Sequence, residues 1–420
     1  MDHFHYKNGA LCAEEVPIAE IATQVGTPFY CYSTATLTRH YQAFTNALEG
    51  MDALVCYSVK ANSNLAVIRT LAGLGSGTDV VSGGELTRAL RAGVPAERIV
   101  FSGVGKTRPE IAAALEADIL QINIESEPEL ALVDKIAGEL GSTATVAIRI
   151  NPDIDAHTHD KISTGRGEDK FGIEWTRVRE VVTRSRTLQH VKVAGLAMHI
   201  GSQVIELGPF RKAFRRLRDV VTLLAADGLE IRRLDLGGGL GIPYTEAKVP
   251  GPEDYGQTVR EILGDLNCRL LFEPGRLIVG NAGILVTNVL YIKEGTTRTF
   301  VIVDAAMNDL LRPSLYDSRH EIVPLTKPAP DGDQISADVV GPVCETGDTF
   351  ATGLVLPRLK VGDGLAIRSA GAYGAVMASS YNSRALVPEV MVNGKAFAVI
   401  RRRMDIEAVL GYEDTPNWLE

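Results

Sequence analysis

Between about residue 53 and residue 275 the chain repeats one pattern eight times: a short β-branched run, then a longer stretch with apolar side chains at helical spacing. The runs are Ala53 to Val59, Gly77 to Val81, Arg98 to Phe101, Ile119 to Ile124, Ala144 to Ile150, Val191 to Ile200, Ile231 to Leu236 and Arg269 to Glu273. Strands joined through helices run parallel, and eight such units are the number that closes a parallel sheet on itself. The expectation is a (β/α)8, TIM-like barrel over residues 27–276. Nearly every run ends in a polar or glycine-rich cluster: Ser58 and Lys60, Ser82, Ser102, Asn123, Asn151, His199, Gly237 to Gly239, and Glu273 to Arg276. In a closed barrel these ends meet at one face, where active sites of this fold lie.

After residue 276 the texture changes to short strands and glycine or proline turns, as in Thr299 to Asp304, Ala337 to Val343, Gly364 to Ala370 and Val390 to Ile400. This reads as a β domain of sandwich or Greek-key type over residues 277–420. Asn8-Gly9 and Asn393-Gly394 are two-residue hairpin signals. The N-terminal hairpin, with residues 1–26, is expected to join that β domain.

A chain of 420 residues exceeds one ordinary core. With 45% hydrophobic and 23% charged residues it has the composition of a globular protein. The formal charge of −9 withholds the basic field that nucleic acid or an anionic membrane surface rewards. The first residues lack a basic stretch followed by an apolar one, and the longest apolar passage, Leu277 to Ile292, is broken by Asn281 and Asn288. No membrane association and a cytoplasmic location are expected. Cys12, Cys31, Cys56, Cys268 and Cys344 stand far apart, so neither a disulfide framework nor a zinc site is indicated.

Lys60 directly follows the first run, which sets its amine at the barrel mouth. A lysine desolvated there loses its charge readily, and a neutral amine is the nucleophile that an aldehyde requires. An ordinary surface lysine fits the position equally well. Gly237-Gly238-Gly239 can bring backbone N–H groups to a phosphate, but Ile242 replaces the third glycine of a dinucleotide fingerprint, and a tight turn is the alternative. Glu273-Pro274-Gly275-Arg276 ends the eighth run with an acid, a flexible backbone and a guanidinium; alone it reads as an ion pair. His199 closes the sixth run near Ser202 and can stack on a planar ring.

Two patterns mislead. Ser102 to Thr107 resembles the tail of a P-loop, but Val100 stands where its first glycine belongs. His157, His159 and Asp160 lack a recognised zinc spacing, so no metal is expected.

Taken jointly and in this order, these motifs resemble the fold-type III pyridoxal-phosphate-dependent decarboxylases, and among them the diaminopimelate decarboxylase family. The resemblance runs from Gly26-Thr27-Pro28-Phe29-Tyr30-Cys31-Tyr32 to Tyr373 and beyond. It implies pyridoxal 5'-phosphate carried covalently on Lys60 and stacked on His199. Ser202, Gly239, Glu273, Gly275 and Arg276 hold its phosphate and pyridine nitrogen, and Tyr373 touches both cofactor and substrate. By the same resemblance Arg276, Arg312, Tyr316 and Glu345 bind the far end of the substrate, and Cys344 donates a proton. Cys344-Glu345 reach into the partner's site, which implies a homodimer with shared active sites.

Diaminopimelate has an amine and a carboxylate at its far end, which suits two arginines and a glutamate; a decarboxylase of ornithine needs only an acidic pocket. The expected activity is decarboxylation of meso-2,6-diaminopimelate to L-lysine, the last step of lysine biosynthesis. The nearest alternatives are related decarboxylases of D-ornithine, D-lysine, carboxynorspermidine or a carrier-bound amino acid. More distant ones are a regulatory protein that binds the cofactor without catalysis, and a cofactor-free Schiff-base aldolase.

Overall fold

The computed structural model describes residues 2–156, 160–162, 164–244 and 248–419. The chain forms two compact units, one of Thr38–Pro243 and Ala247–Ile278, the other of Met1–Leu37, Tyr244–Glu246 and Val279–Glu420.

In the first unit the strands Ala53–Ser58, Gly77–Val80, Ile99–Phe101, Gln121–Ile124, Ala144–Asn151, Val191–Ala197, Arg233–Asp235 and Arg269–Phe272 pair in parallel, each with the next. The last pairs with the first, Leu270 opposite Ala53 and Phe272 opposite Val55, so the sheet closes into a barrel. Each of the eight expected runs supplies one barrel strand. A short strand, Ile173–Glu174, adds itself beside the fifth.

Between strands the helices start where side chains satisfy their free N–H groups. Ser82 accepts from the Glu85 amide, Ser126 from the Glu129 amide, and Thr107 with Glu110 forms a reciprocal capping box. Helix Leu207–Ala226 buries Phe210, Ala213, Phe214, Leu217, Val221 and Leu224, a stripe at helical spacing. Phe210 meets the Tyr255 ring edge-on at 5.1 Å, and Tyr255 meets Phe272 at 6.2 Å. This aromatic cluster seats the last helices on the eighth strand, and helix and site positions follow from it.

The second unit is the expected β domain, in the form of a mixed sheet. Its order is Thr349–Pro357, Gln334–Val340, Thr299–Val303, Gly283–Glu294, Phe29–Ser33, Glu389–Asn393 and Ala396–Arg401. Phe29 and Cys31 turn to one face, against Phe4, Leu11, Val16 and Ile18 of the N-terminal meander and helix. Tyr30 and Tyr32 turn to the other, with Val301, Val339, Phe350 and Ile367. Alternate residues of one strand therefore feed two cores.

Two expectations change. Phe29–Ser33 falls inside the barrel if the boundary lies at residue 27, but it pairs with Gly283–Glu294 and Glu389–Asn393, in the middle of the β sheet. A run buried on both faces carries no alternation to say which sheet it joins. The C-terminal hairpin also turns one residue later than Asn393-Gly394 suggests. Asn393 pairs with Ala396, leaving Gly394-Lys395 as the loop, with Gly394 at φ 60° in the first central position of a type II′ turn. At Asn8-Gly9, between the paired Lys7 and Ala10, both residues are left-handed, as a type I′ turn requires.

The passage from Leu277 to Ile292 lies partly in the short helix Arg276–Val279 and partly in the strand Gly283–Glu294. Among the described residues no helix is long and apolar enough to cross a membrane.

Candidate active site

The C-terminal ends of the barrel strands carry a polar layer in which charged and neutral side chains alternate as partners. Lys60 sits in the single 3-10 turn Val59–Ala61 that follows the first strand. Its Nζ lies 2.9 Å from Asp79 Oδ2, with Lys60 34% exposed at its side chain and Asp79 fully buried. Ser58 Oγ donates to the same carboxylate oxygen at 2.7 Å. The amine is thus held at the mouth, reachable from outside, while its counterion is inside.

Two more carboxylates lie beneath. Asn123 Nδ2 donates to Asp235 Oδ2 at 2.9 Å and to Ser102 Oγ at 3.0 Å, and Ser102 Oγ donates to Glu273 Oε1 at 3.2 Å. Gln121 Nε2 orients Asn123 through its Oδ1 at 2.9 Å. Burial, then the charges of Asp235 and Asp79, hold the Glu273 carboxyl well above its ordinary value, and a hydrogen bond shared with Asp235 adds to this. Asp235 is also raised, chiefly by burial. Ionisation is therefore disfavoured at both carboxyls, and most at Glu273.

His199 follows the sixth strand, and its Nδ1 accepts the Gly238 amide at 3.2 Å. That bond leaves the proton of the neutral ring on Nε2. Burial, Lys60 and Arg149 depress the imidazole pKa well below its usual value, so the ring is uncharged although an edge of the residue remains accessible. Gly238 is needed because a Cβ there would come within 2.2 Å of the Glu273 carbonyl oxygen. Gly239 has φ +106°, and a Cβ on it would meet the Gly201 carbonyl oxygen at 2.3 Å. The glycine run is a place where three backbone segments close on one another, with the Gly237 amide spent on Asp235 Oδ1 at 3.1 Å and the Gly238 amide on His199. Arg276 Nη2 donates to Ser202 Oγ at 3.1 Å, which joins the two expected phosphate-binding side chains. A Cβ on Gly275 would press on Ala61 and Ser58, so this glycine packs against the turn that carries Lys60.

Within the barrel unit the structure brings together Lys60, His199, Ser202, Gly239, Glu273, Gly275 and Arg276. The sequence reading missed Asp79 and Asp235, hidden inside strand runs, and gave Asn123 and Ser102 no role beyond ending theirs. Period-two alternation is the signal that finds them, since it turns Asp79 inward between Thr78 and Val80. It also missed Arg149, whose Nη1 lies 2.6 Å from Glu125 Oε1 while Nη2, buried, has no hydrogen-bond partner among the described residues. Lys106, the lysine of the false P-loop, is buried and spent on structure: it donates to the Gly103 and Asn123 carbonyls and pairs with Glu129 at 2.6 Å.

The remaining expected residues belong to the β unit. Arg312, 4% exposed, donates from Nη2 to Ser318 Oγ at 3.0 Å, and its guanidinium lies 5.6 Å from the Tyr316 ring centre. Cys344 and Glu345 are exposed on the loop between Gly341 and Asp348. Asn382 Nδ2 approaches Cys344 Sγ at 3.7 Å, and Tyr381 Oη donates to Glu345 Oε1. The buried Asp348 carboxylate shapes this loop by accepting the Val343 and Met307 amides at 2.7 and 2.6 Å. Tyr373 is left-handed at φ 55°, a conformation a tyrosine adopts only where its surroundings impose it. His157 and His159 lie outside the described residues, as does the side chain of Asp160; among the described residues no group of three or more His, Cys, Asp or Glu is placed to hold a metal.

Residues 34–280 match the family described as pyridoxal-dependent decarboxylase, pyridoxal binding domain. The diaminopimelate decarboxylase of Zymomonas mobilis is 48% identical over 421 residues, covering 99% of both chains. The chain belongs to the diaminopimelate decarboxylase family. Within this family, the crystal structure of the Helicobacter pylori diaminopimelate decarboxylase complexed with L-lysine is 42% identical and superposes with a TM-score of 0.90, covering 94% of this chain and 98% of the other. That of the M. jannaschii diaminopimelate decarboxylase in co-complex with L-lysine is 36% identical, with a TM-score of 0.95 over 100% and 99% of the two chains. The pyridoxal cofactor of the family fits the residues present: an accessible amine on a buried counterion, a backbone cradle that side chains would fill, a neutral imidazole and a carboxyl of raised pKa.

A pH dependence follows from Glu273. A carboxyl whose pKa is raised by folding binds more protons folded than unfolded, so it stabilises below its unfolded pKa and loses that contribution as pH rises through the folded one. Denaturant melts of the cofactor-free protein between about pH 5 and 8 should show Glu273→Gln gaining on the parent as pH rises. A difference that stays constant with pH contradicts the raised pKa.

Proposed function

We propose that this protein removes one carboxyl group from meso-2,6-diaminopimelate, releasing carbon dioxide and L-lysine, with pyridoxal 5'-phosphate held on Lys60. The observation that carries the substrate is Arg312. A buried guanidinium flanked by an aromatic ring is a receptor for a carboxylate, and it stands in the same unit as the exposed acid Glu345. A substrate ending in a lone cation, such as ornithine, would face that guanidinium unpaired. The L-lysine bound to the two related enzymes supports the same substrate end.

In this reading Lys60 binds the cofactor covalently. Gly239, Ser202, Gly275 and Arg276 would take its phosphate, His199 its ring face, Glu273 its ring nitrogen, and Tyr373 would add a contact to cofactor and substrate. When bound, the cofactor supplies an electron sink for the pair released with carbon dioxide. Glu273 keeps a proton available at its carboxyl for the ring nitrogen. Asp79 receives the ammonium of Lys60 whenever that amine is displaced by the substrate's. Cys344 returns a proton from Sγ to the carbon that lost the carboxyl group, which balances the reaction. Arg276, Arg312, Tyr316 and Glu345 fix the distal amino-acid end.

Purified protein should release carbon dioxide from meso-diaminopimelate with kcat/KM at least about a hundredfold above that for D-ornithine or D-lysine, the margin expected where a charge would be left unpaired. Inactivity on diaminopimelate in a protein that carries the cofactor contradicts the assignment.

The working unit in this proposal is a homodimer, in which Cys344 and Glu345 serve the neighbouring copy's site; their exposure supports this. Mixing Lys60→Ala with Cys344→Ala chains should restore up to about a quarter of parent activity, since about half of random pairings are mixed and each of these has one of its two sites intact. No recovery after demonstrated subunit exchange counts against it. A cytoplasmic location is supported by five free cysteines, and the absence of a nucleic-acid partner by the acidic charge.

A further inference from the structure

Arg312 has a second aromatic neighbour, and neither the sequence motifs nor the proposed mechanism gives it a task. The ring of Tyr244 lies with its centre 5.2 Å from the Arg312 guanidinium carbon, on the same scale as the 5.6 Å to Tyr316. Both distances are within the range of cation–π attraction. Tyr244 is itself braced: the imidazole of His320 meets it edge-on, centres 5.1 Å apart at 77°. His320 is buried, and its Nδ1 lies 2.8 Å from the Arg368 carbonyl oxygen. That geometry makes Nδ1 the donor, so the imidazole is fixed in one orientation behind the tyrosine. Ser318 Oγ holds the guanidinium at Nη2, 3.0 Å away.

A long arginine side chain surrenders rotamer freedom when it receives a carboxylate, and that loss weakens binding unless the side chain is already ordered. Two rings and a hydroxyl order Arg312 before any ligand arrives. The rings attract the guanidinium without neutralising its charge.

We propose that Tyr244 is a positioning residue for substrate specificity, holding the Arg312 guanidinium ready for the distal carboxylate of the substrate. The inference rests on the reading above, that Arg312 receives this carboxylate. Its consequence is selective: Tyr244 strengthens binding of ligands that possess the carboxylate and is indifferent to those that lack it.

L-lysine and cadaverine are a suitable pair, since in both a five-carbon chain joins two amines and only lysine adds the carboxylate. Their dissociation constants for the holoenzyme, measured by calorimetry, should respond differently to Tyr244→Leu. L-lysine should weaken about tenfold, the size expected of a desolvated cation–π pair, and cadaverine should be unchanged. Tyr244→Phe should retain the parent values. If Tyr244→Leu fails to fold, fluorinated phenylalanines at position 244 replace it, because they preserve shape while draining the ring's negative face; lysine affinity should fall with each added fluorine. Equal changes for both ligands, or affinity indifferent to fluorination, overturns the inference. Arg312→Ala separates the two levels: if it alters the lysine-to-cadaverine ratio and Tyr244→Leu does not, the tyrosine's role fails and the carboxylate assignment stands. If Arg312→Ala leaves the ratio unchanged, the carboxylate assignment itself fails.

Discussion

Three buried carboxylates, Asp79, Asp235 and Glu273, share the mouth of the barrel with Lys60, the cation that ion-pairs with the first of them. Charges of one sign at close quarters in a poorly solvated place disfavour one another, which raises the pKa of Glu273 and of Asp235. That imbalance accounts for much of what surrounds it. Asp79 is matched by the Lys60 ammonium, Asp235 by the Asn123 amide, and Glu273 by the Ser102 hydroxyl and by a pKa raised through burial and its acidic neighbours. In the proposed function a cationic ring nitrogen beside Glu273 would relieve this repulsion, so a surplus of buried acid suits a pocket for a protonated pyridine.

The scaffold makes this surplus tolerable. Parallel strands in a closed barrel bring ends far apart in sequence to one rim: Asn123 and Asp235 belong to the fourth and seventh strands yet share a hydrogen bond. The interior further down is apolar, with Leu54, Cys56, Val100, Leu120 and Leu271 in one cluster. The glycine run at the seventh strand serves the same rim, since its lack of side chains lets the backbone after the sixth, seventh and eighth strands converge without clash.

Much of this was legible in the order of residues. The eight runs each became a barrel strand, and strand ends marked the rim, because alternation of strand and helix is a repeating signal averaged over many residues. Lys60, His199 and Glu273 were found as exceptional residues at those ends. Asp79 and Asp235 were not, for they sit inside the runs, where a sequence reading expects apolar side chains and the sign of a residue's neighbours across the barrel is invisible. Phe29–Ser33 fell on the barrel side of the expected boundary at residue 27 because a run buried on both faces does not show which unit it joins. Tyr244 has no marker at all; its meaning comes from Arg312, far along the chain. Residues defined by their own chemistry are readable, and residues defined by what they touch are not.

The central claim is that Lys60, alone among the lysines, is poised to carry the cofactor. Borohydride reduction of the protein loaded with pyridoxal 5'-phosphate, followed by digestion and mass mapping, tests it most directly. The account predicts one stable phosphopyridoxyl group per chain, on the peptide that contains Lys60. A label on Lys106 or another lysine, or label spread over several surface lysines with Lys60 unmodified, would contradict it.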